Sequence, residues 1–349
     1  MTTGILLLNF GEPERPELDE VVPFLEAIFL ANMRLEHAAD AEAGRRRARM
    51  LAERRAPALV ADYRRMGASP LAEQTRAQAR ALDVALRRRG FEARVAVGMQ
   101  FTGPSIVDAV RTLCRAGVDR LVGLPLYPLC GASTTIMALE RLQDALAALD
   151  WHPDVTEITG WHRHPDYSIL RTRAVRMYCE EAEIDLGGVD TRLVFSAHGT
   201  PLKYLEEGNR YDLYVRDHCR ELARRLGVEH YELGYQNHDN RPDVEWTLPE
   251  IGEVVRHVEA ERVVVVPVSF MQEQSETLVE LDLDLREDAD SVGVSFHRVP
   301  IPYDDPQFVM LLAQLVQNAC AVERRACRCR PGAYCLNDRL EYEASVSSS

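Results

Sequence analysis

The 349-residue chain lacks the features that would place it quickly in several broad classes. It has no positive charge balance. Its 41 Lys and Arg stand against 55 Asp and Glu, a net charge of -14, which argues against a nucleic-acid partner because phosphate binding asks for a basic surface. An anionic small molecule stays open as a ligand, since arginines cluster locally. There is no apolar run of membrane-spanning length. The short run Ile5-Leu-Leu-Leu-Asn-Phe10 has no positively charged region before it and is far shorter than a signal-peptide core. It is read instead as the first buried strand. No internal repeat is found, and no low-complexity segment apart from the Ser-rich final residues. Eight cysteines with no export signal are better read as thiols or metal ligands than as a disulfide framework, so the cytoplasm is the expected compartment.

What is present describes an ordinary globular protein, with 46% apolar and 28% charged residues. The length is too great for one small core and fits two lobes. Short apolar runs bounded by Gly, Pro or Asn alternate with helical stretches, the pattern of an α/β protein with a mainly parallel sheet covered on both faces. Strands are expected at 4–10, 94–101, 119–127 and 154–160, then at 192–197, 230–236, 262–270 and 293–299. Two similar doubly wound lobes follow, each with a four-stranded sheet flanked by helices and with a cleft between them. The expected spans are 1–160, 161–320 and a Cys-rich tail at 321–349. The Arg-rich stretch from Arg45 to Arg49 reads as a solvated helix face. Pro23 to Leu30 is bulky and apolar; it suits either peripheral membrane contact or a helix packed on its own sheet.

Two segments carry chemistry. Arg192-Leu-Val-Phe-Ser-Ala-His-Gly199 delivers His198 where one strand stops, and Ser269-Phe-Met-Gln-Glu-Gln-Ser-Glu276 brings Glu273 and Glu276 where another does. Ligands of open α/β sheets bind beyond the carboxyl ends of the strands, so both tips should face one cleft. A histidine opposite carboxylates suits moving protons and a divalent metal. Glu276, Glu280 and Asp284 are spaced i, i+4, i+8, which places them along one stripe of a helix. Like charges at that spacing repel, so the stripe is either a solvated acidic face or a track for cations or protons, with at least one carboxyl pKa raised by crowding.

These segments resemble those of the ferrochelatase family, whose members insert ferrous iron into a porphyrin. Further similar pieces, in the family's order, are Leu8-Asn-Phe-Gly-Glu-Pro13, Arg54-Arg55 before Pro57, Tyr63-Arg-Arg-Met-Gly-Ala-Ser-Pro70, Tyr127-Pro128 with Ser133-Thr-Thr135, and Trp246-Thr-Leu-Pro249. The resemblance implies His198 as proton acceptor or ligand to incoming Fe2+, paired across the cleft with Glu276, and a track through Glu273, Glu280 and Asp284. It implies porphyrin contacts from Phe10, Arg54, Arg55, Tyr63, Ser69 and Trp246. The first strand's ending looks more like that of protoporphyrin users than of coproporphyrin users. A monomer and a homodimer are both compatible. One departure stands out: Gln274 occupies a position where the family commonly has histidine, and an amide cannot carry a proton at neutral pH; Glu273 is the neighbour available to compensate. A non-catalytic haem or metal carrier, and a chelatase for another metal or tetrapyrrole, are the alternatives.

Cys327, Cys329 and Cys335 place three thiols within nine residues, which suggests a metal or cluster site. Some members of the family carry a 2Fe-2S cluster on such a segment with a fourth ligand from the first lobe, for which Cys130 is the candidate. Zinc and free thiols are the alternatives. Cys114, Cys179, Cys219 and Cys320 fall in helical patterns and read as small apolar residues.

Overall fold

The computed structural model describes residues 2–33, 40–236, 244–321, 327 and 329–337. The first lobe runs β1 (Thr3–Asn9), α1 (Leu18–Ala31), α2 (Ala41–Met66), α3 (Leu71–Arg88), β2 (Ala93–Met99), α4 (Ile106–Arg115), β3 (Arg120–Pro125), α5 (Met137–Ala148) and β4 (Asp154–Glu157). The second runs α6 (Pro165–Glu181), β5 (Thr191–His198), α7 (Leu202–Glu206), α8 (Tyr211–Leu226), β6 (Tyr231–Gln236), α9 (Ile251–Arg256), β7 (Arg262–Pro267), α10 (Ser275–Leu278), α11 (Arg286–Ser291), β8 (Ser295–Arg298) and α12 (Pro306–Ala321). All eight expected strands form, each end within three residues of expectation. β2, β3, β4 and β7 leave the ladder two or three residues early, whereas β5 runs on to His198.

Both sheets are parallel and have the same order, β2-β1-β3-β4 and β6-β5-β7-β8. In each, the chain leaves the first strand to one side and then returns to the other, which makes a topological switch point between β1 and β3 and between β5 and β7. β1 is buried along its whole length, and Ile5, Leu6, Leu7 and Leu8 have no exposed surface. Each such side chain contributes about 1.5–3 kcal/mol of burial. Val263 to Val266 of β7 do the same in the second sheet.

The last helix binds the two lobes. Phe308, Leu311, Leu312 and Leu315 of α12 join Ile5, Leu7, Leu82 and Trp161 in one apolar cluster on the first sheet. Trp161 is fully buried and donates its indole N–H to the Pro125 carbonyl at 3.2 Å. The tail then docks on the edge of β4: the Tyr334 amide donates to Glu157 at 2.8 Å, and Tyr334 and Gly160 accept from Thr159 and Leu336 at 3.0 Å each. α1 and α2 stand over the cleft. Phe24 and Leu25 of α1 pack on Ala52, Ala56, Val60 and Tyr63 of α2, while Arg45, Arg46, Arg47 and Arg49 face solvent as expected. Among the described residues no helix is long and apolar enough to cross a membrane.

Candidate active site

β5 ends on His198, and the backbone there is fixed by its N–H donating to Ser269 Oγ at 3.0 Å; that hydroxyl is itself 2.7 Å from the Tyr211 hydroxyl. Ser269 follows β7, so the two central strands of the second sheet brace each other at the switch point. The imidazole Nδ1 lies 2.8 Å from Glu276 Oε2 in the first turn of α10. Burial pulls the imidazolium pKa down, but the Glu276 charge and hydrogen bond outweigh it, and the net displacement is upward. The pair is open to the cavity on its other side.

The carboxylate stripe is not a plain α-helix. After the four-residue α10, residues Glu280–Leu285 form a π-turn in which the Asp284 amide donates to the Val279 carbonyl at 3.0 Å. The extra residue in that turn corrects the simple i, i+4, i+8 stripe, although Glu276, Glu280 and Asp284 still line the same cavity. Gln236 at the end of β6 holds the bend, donating to the Glu276 carbonyl at 2.7 Å and to Glu280 Oε2 at 3.3 Å. Burial first, and then the Glu276 charge, push the Glu280 carboxyl well up. At the outer end Asp284 is paired with Arg65 of α2 at 2.8 Å.

A raised folded-state pKa favours the protonated carboxyl, so the Glu280 contribution to stability is present at low pH and is lost as pH rises through the folded value. Glu280→Gln is fixed in the neutral form. Its melting temperature should exceed that of the parent chain by more at pH 8 than at pH 5, by about 2–4 °C for each kcal/mol relieved. Thermal scans at the two pH values check this; an advantage that shrinks with pH contradicts the assigned shift.

Glu273 is elsewhere. Its oxygens accept from Arg298 at 3.0 and 3.1 Å and from the Ile301 amide at 2.9 Å, and it does not line the cavity. The structure thus places Glu273, expected in the track and as compensation for Gln274, apart from the cavity-lining carboxylates. Gln274 caps α10: its side chain accepts from the Thr277 amide while its own amide donates to Thr277 Oγ1 at 3.0 Å.

The cavity between the lobes has a volume of about 710 Å3, within the range of small-molecule sites. Phe10, Arg55, Tyr63 and Trp246 line it as expected. Phe10 sits in an aromatic wall, 4.5 Å from Phe101 and 6.2 Å from Phe24 between ring centroids. Arg54 does not line it, because one step along α2 turns its side chain to solvent. Ser69 lies behind the wall and donates to Glu12. Glu12 itself, which the sequence did not mark, is a buried cavity-lining carboxylate held by Ser69 and Ser275.

The ferrochelatase family model matches residues 2–320, nearly the whole of this fold and every residue of the cavity. The chain belongs to the ferrochelatase family. A ferrochelatase of Synechocystis sp. is 34% identical over 330 residues, covering 90% of this chain and 82% of that protein. One of Aquifex aeolicus is 32% identical over 328 residues, covering 91% and 99%. Among solved structures, CbiX, the terminal enzyme for siroheme biosynthesis in denitrifying bacteria, superposes with a TM-score of 0.52 at 16% identity, covering 92% of this chain and all of that one. SirB from Bacillus subtilis does so with a TM-score of 0.53 at 10% identity, covering 92% and 96%. These two bear out the two-lobed chelatase fold.

In this ferrochelatase-family chain the three tail thiols and Cys130 come together. Cys329 is in hydrogen-bond contact with Cys130 and Cys327, and Cys335 with Cys327. Tyr214 lies 3.2 Å from Cys329, Thr159 3.4 Å from Cys327, and the Asn337 amide donates to Cys335 at 3.4 Å. Hydrogen bonds from Cys329 and Cys335 hold Cys327 well below the ordinary thiol pKa. Among the described residues no group of three or more His, Cys, Asp or Glu side chains is arranged to hold a metal ion. Cys179 and Cys219 are buried core thiols, and Cys114 and Cys320 are partly exposed.

Proposed function

We propose that the protein is a ferrochelatase that inserts ferrous iron into a porphyrin, protoporphyrin IX in preference to coproporphyrin III, with release of two protons. The observation that carries the reading is the imidazole–carboxylate pair, 2.8 Å apart, on the wall of a two-lobed cavity large enough for a flat ligand. Insertion requires that two pyrrole N–H bonds break, the electron pairs turn to the metal, and the protons leave. His198, with Glu276 behind it, takes a proton from the ring; a neutral imidazole with a carboxylate partner is suited to that task. Glu280 and Asp284 continue the acidic surface toward the cleft mouth and pass protons out or cations in. Phe10, Tyr63 and Trp246 cover the macrocycle, and Arg55 grips a propionate. Among the described lining residues only Arg55 and Arg256 carry permanent positive charge, which suits a ring with fewer carboxylates.

The proposal includes a 2Fe-2S cluster on Cys130, Cys327, Cys329 and Cys335. Support comes from four neighbouring thiols, one of them biased toward thiolate. When bound, the cluster supplies a cross-link between tail and first lobe. The compartment proposed is the cytoplasm, where such thiols stay reduced. Purified protein mixed anaerobically with ferrous iron and each porphyrin is expected to change the protoporphyrin absorption faster than that of coproporphyrin. No change with either ring rejects the activity. The visible spectrum of the protein as isolated tests the cluster separately: bands lost in Cys329→Ser support it, and a colourless parent protein rejects it.

A further inference from the structure

A cation stands behind the cavity wall without reaching the cavity itself. Arg141 lies on α5 one turn beyond Met137, whose side chain packs in the apolar cluster of Phe24, Tyr63 and Phe101, so this face of the helix looks at the first-lobe wall. Its guanidinium carbon is 4.4 Å from the centroid of the Phe101 ring, and one of its N–H groups donates to the Gln100 carbonyl. Phe101 leans on Phe10 at 4.5 Å and meets Phe24 edge-on at 6.4 Å. Gln100 accepts from the Tyr127 hydroxyl at 2.8 Å and donates from its side chain to the Ser133 carbonyl at 3.3 Å. The amides of Gln100 and Phe101 donate to the carbonyls of Asn9 and Phe10 at 2.8 and 3.0 Å. Phe10, Phe24 and Tyr127 line the cavity, whereas Gln100, Phe101 and Arg141 form the layer behind them. One guanidinium thus ties together the segments that follow β1, β2 and β3.

We infer that Arg141 is a positioning residue for the porphyrin: through Phe101 and Gln100 it fixes the aromatic wall against which the macrocycle lies, and so sets ring affinity without touching the ring. The inference deepens the proposed function and rests on its porphyrin reading. A charge in this place is costly, since burial pushes the guanidinium pKa down while Tyr127 and Asp144 oppose it. An apolar side chain of similar volume would fill the space without that cost. What the cation adds is direction. Its attraction to the ring acts over the face of Phe101, and its N–H demands a carbonyl in line, so both the tilt of the ring and the path of the backbone beneath it are held. A flat ligand needs that tilt held, because a gap of about 0.5–1 Å already forfeits a quarter to a half of a dispersion contact. Phe10 takes its own tilt from Phe101, and Tyr127 takes its direction from Gln100.

The test is the affinity of the full chain for protoporphyrin IX, read by fluorescence quenching, with steady-state iron insertion measured beside it. A parent chain that binds no porphyrin overturns the proposed function and this inference together; a parent that binds leaves the inference to the variants. Arg141→Met keeps the volume and removes both the charge and the donor. It should weaken ring binding about 5- to 30-fold, the range of a partly desolvated cation–π contact with its hydrogen bond, and raise the porphyrin KM by a larger factor than it lowers kcat. Arg141→Lys restores a cation over Phe101 and should recover at least half of the loss on a logarithmic scale. In a double-mutant cycle with Phe101→Leu the two losses should not add, the double variant binding about as weakly as the worse single one. Parent-like affinity in Arg141→Met, a lysine variant as weak as the methionine one, or additive losses in the cycle each overturn the proposal. Should Arg141→Met fail to fold, the cycle is run with Arg141→Lys and Phe101→Leu, and additive losses again overturn it.

Discussion

His198→Ala is expected to abolish iron insertion while porphyrin binding survives. The imidazole is the terminal residue of β5 and touches Glu276 at 2.8 Å, so its loss removes the nearest proton acceptor and leaves that carboxylate without its partner. A positioned acid–base group is worth about 100- to 10,000-fold in rate. The aromatic wall of Phe10, Phe24 and Phe101 and the cation Arg55 lie apart from the histidine and are left intact, so ring affinity should change far less than turnover. Tetrapyrrole binding by fluorescence quenching, measured beside single-turnover insertion, separates the two. Retained turnover rejects the role given to His198.

The same pair sets a direction with pH. Because the His198 pKa is displaced upward, its neutral, proton-accepting form appears at higher pH than in an unpaired histidine, and insertion should rise as pH passes that raised value. Glu276→Gln removes the carboxylate that outweighs burial, so the histidine pKa falls and this limb moves to lower pH. The double variant should cost little more than the worse single one, because the two side chains work as a unit.

How much of this was legible in the sequence varied with the range of the interactions. The strands were, because β1 and β7 are runs of Leu, Ile and Val buried on both faces, and such runs announce themselves without partners. His198 and Glu276 were, because both sit where apolar runs stop. The π-turn at Glu280–Leu285 was not: helical spacing assumes one hydrogen-bond pattern, and the insertion is held by Gln236, 44 residues away from Glu280. Glu12 was missed for the same reason, as its partners lie 57 and 263 residues along the chain. Arg54 and Arg55 are adjacent, and only the packing of α2 on α1 decides which of them faces the cavity.

Glu273 gives the second large effect, through its partner. Arg298 ends β8 with its side chain 7% exposed, and it donates to both oxygens of Asp282 at 2.6 Å and to both oxygens of Glu273. Burial works against its charge, and the two acids more than restore it. Arg298→Ala would leave two enclosed carboxylates facing each other without a cation, which costs about 3–5 kcal/mol, and a melting temperature lower by about 10 °C is expected. Arg298→Met with Glu273→Gln and Asp282→Asn removes all three charges together and should recover most of that loss, since the penalty lies in the unpaired charge and not in the missing bridge. The comparison also decides what Glu273 is for. As a structural partner of Arg298 it should lower melting temperature and insertion together when changed to Gln; as a member of the proton track it would lower insertion and leave the melting temperature unchanged.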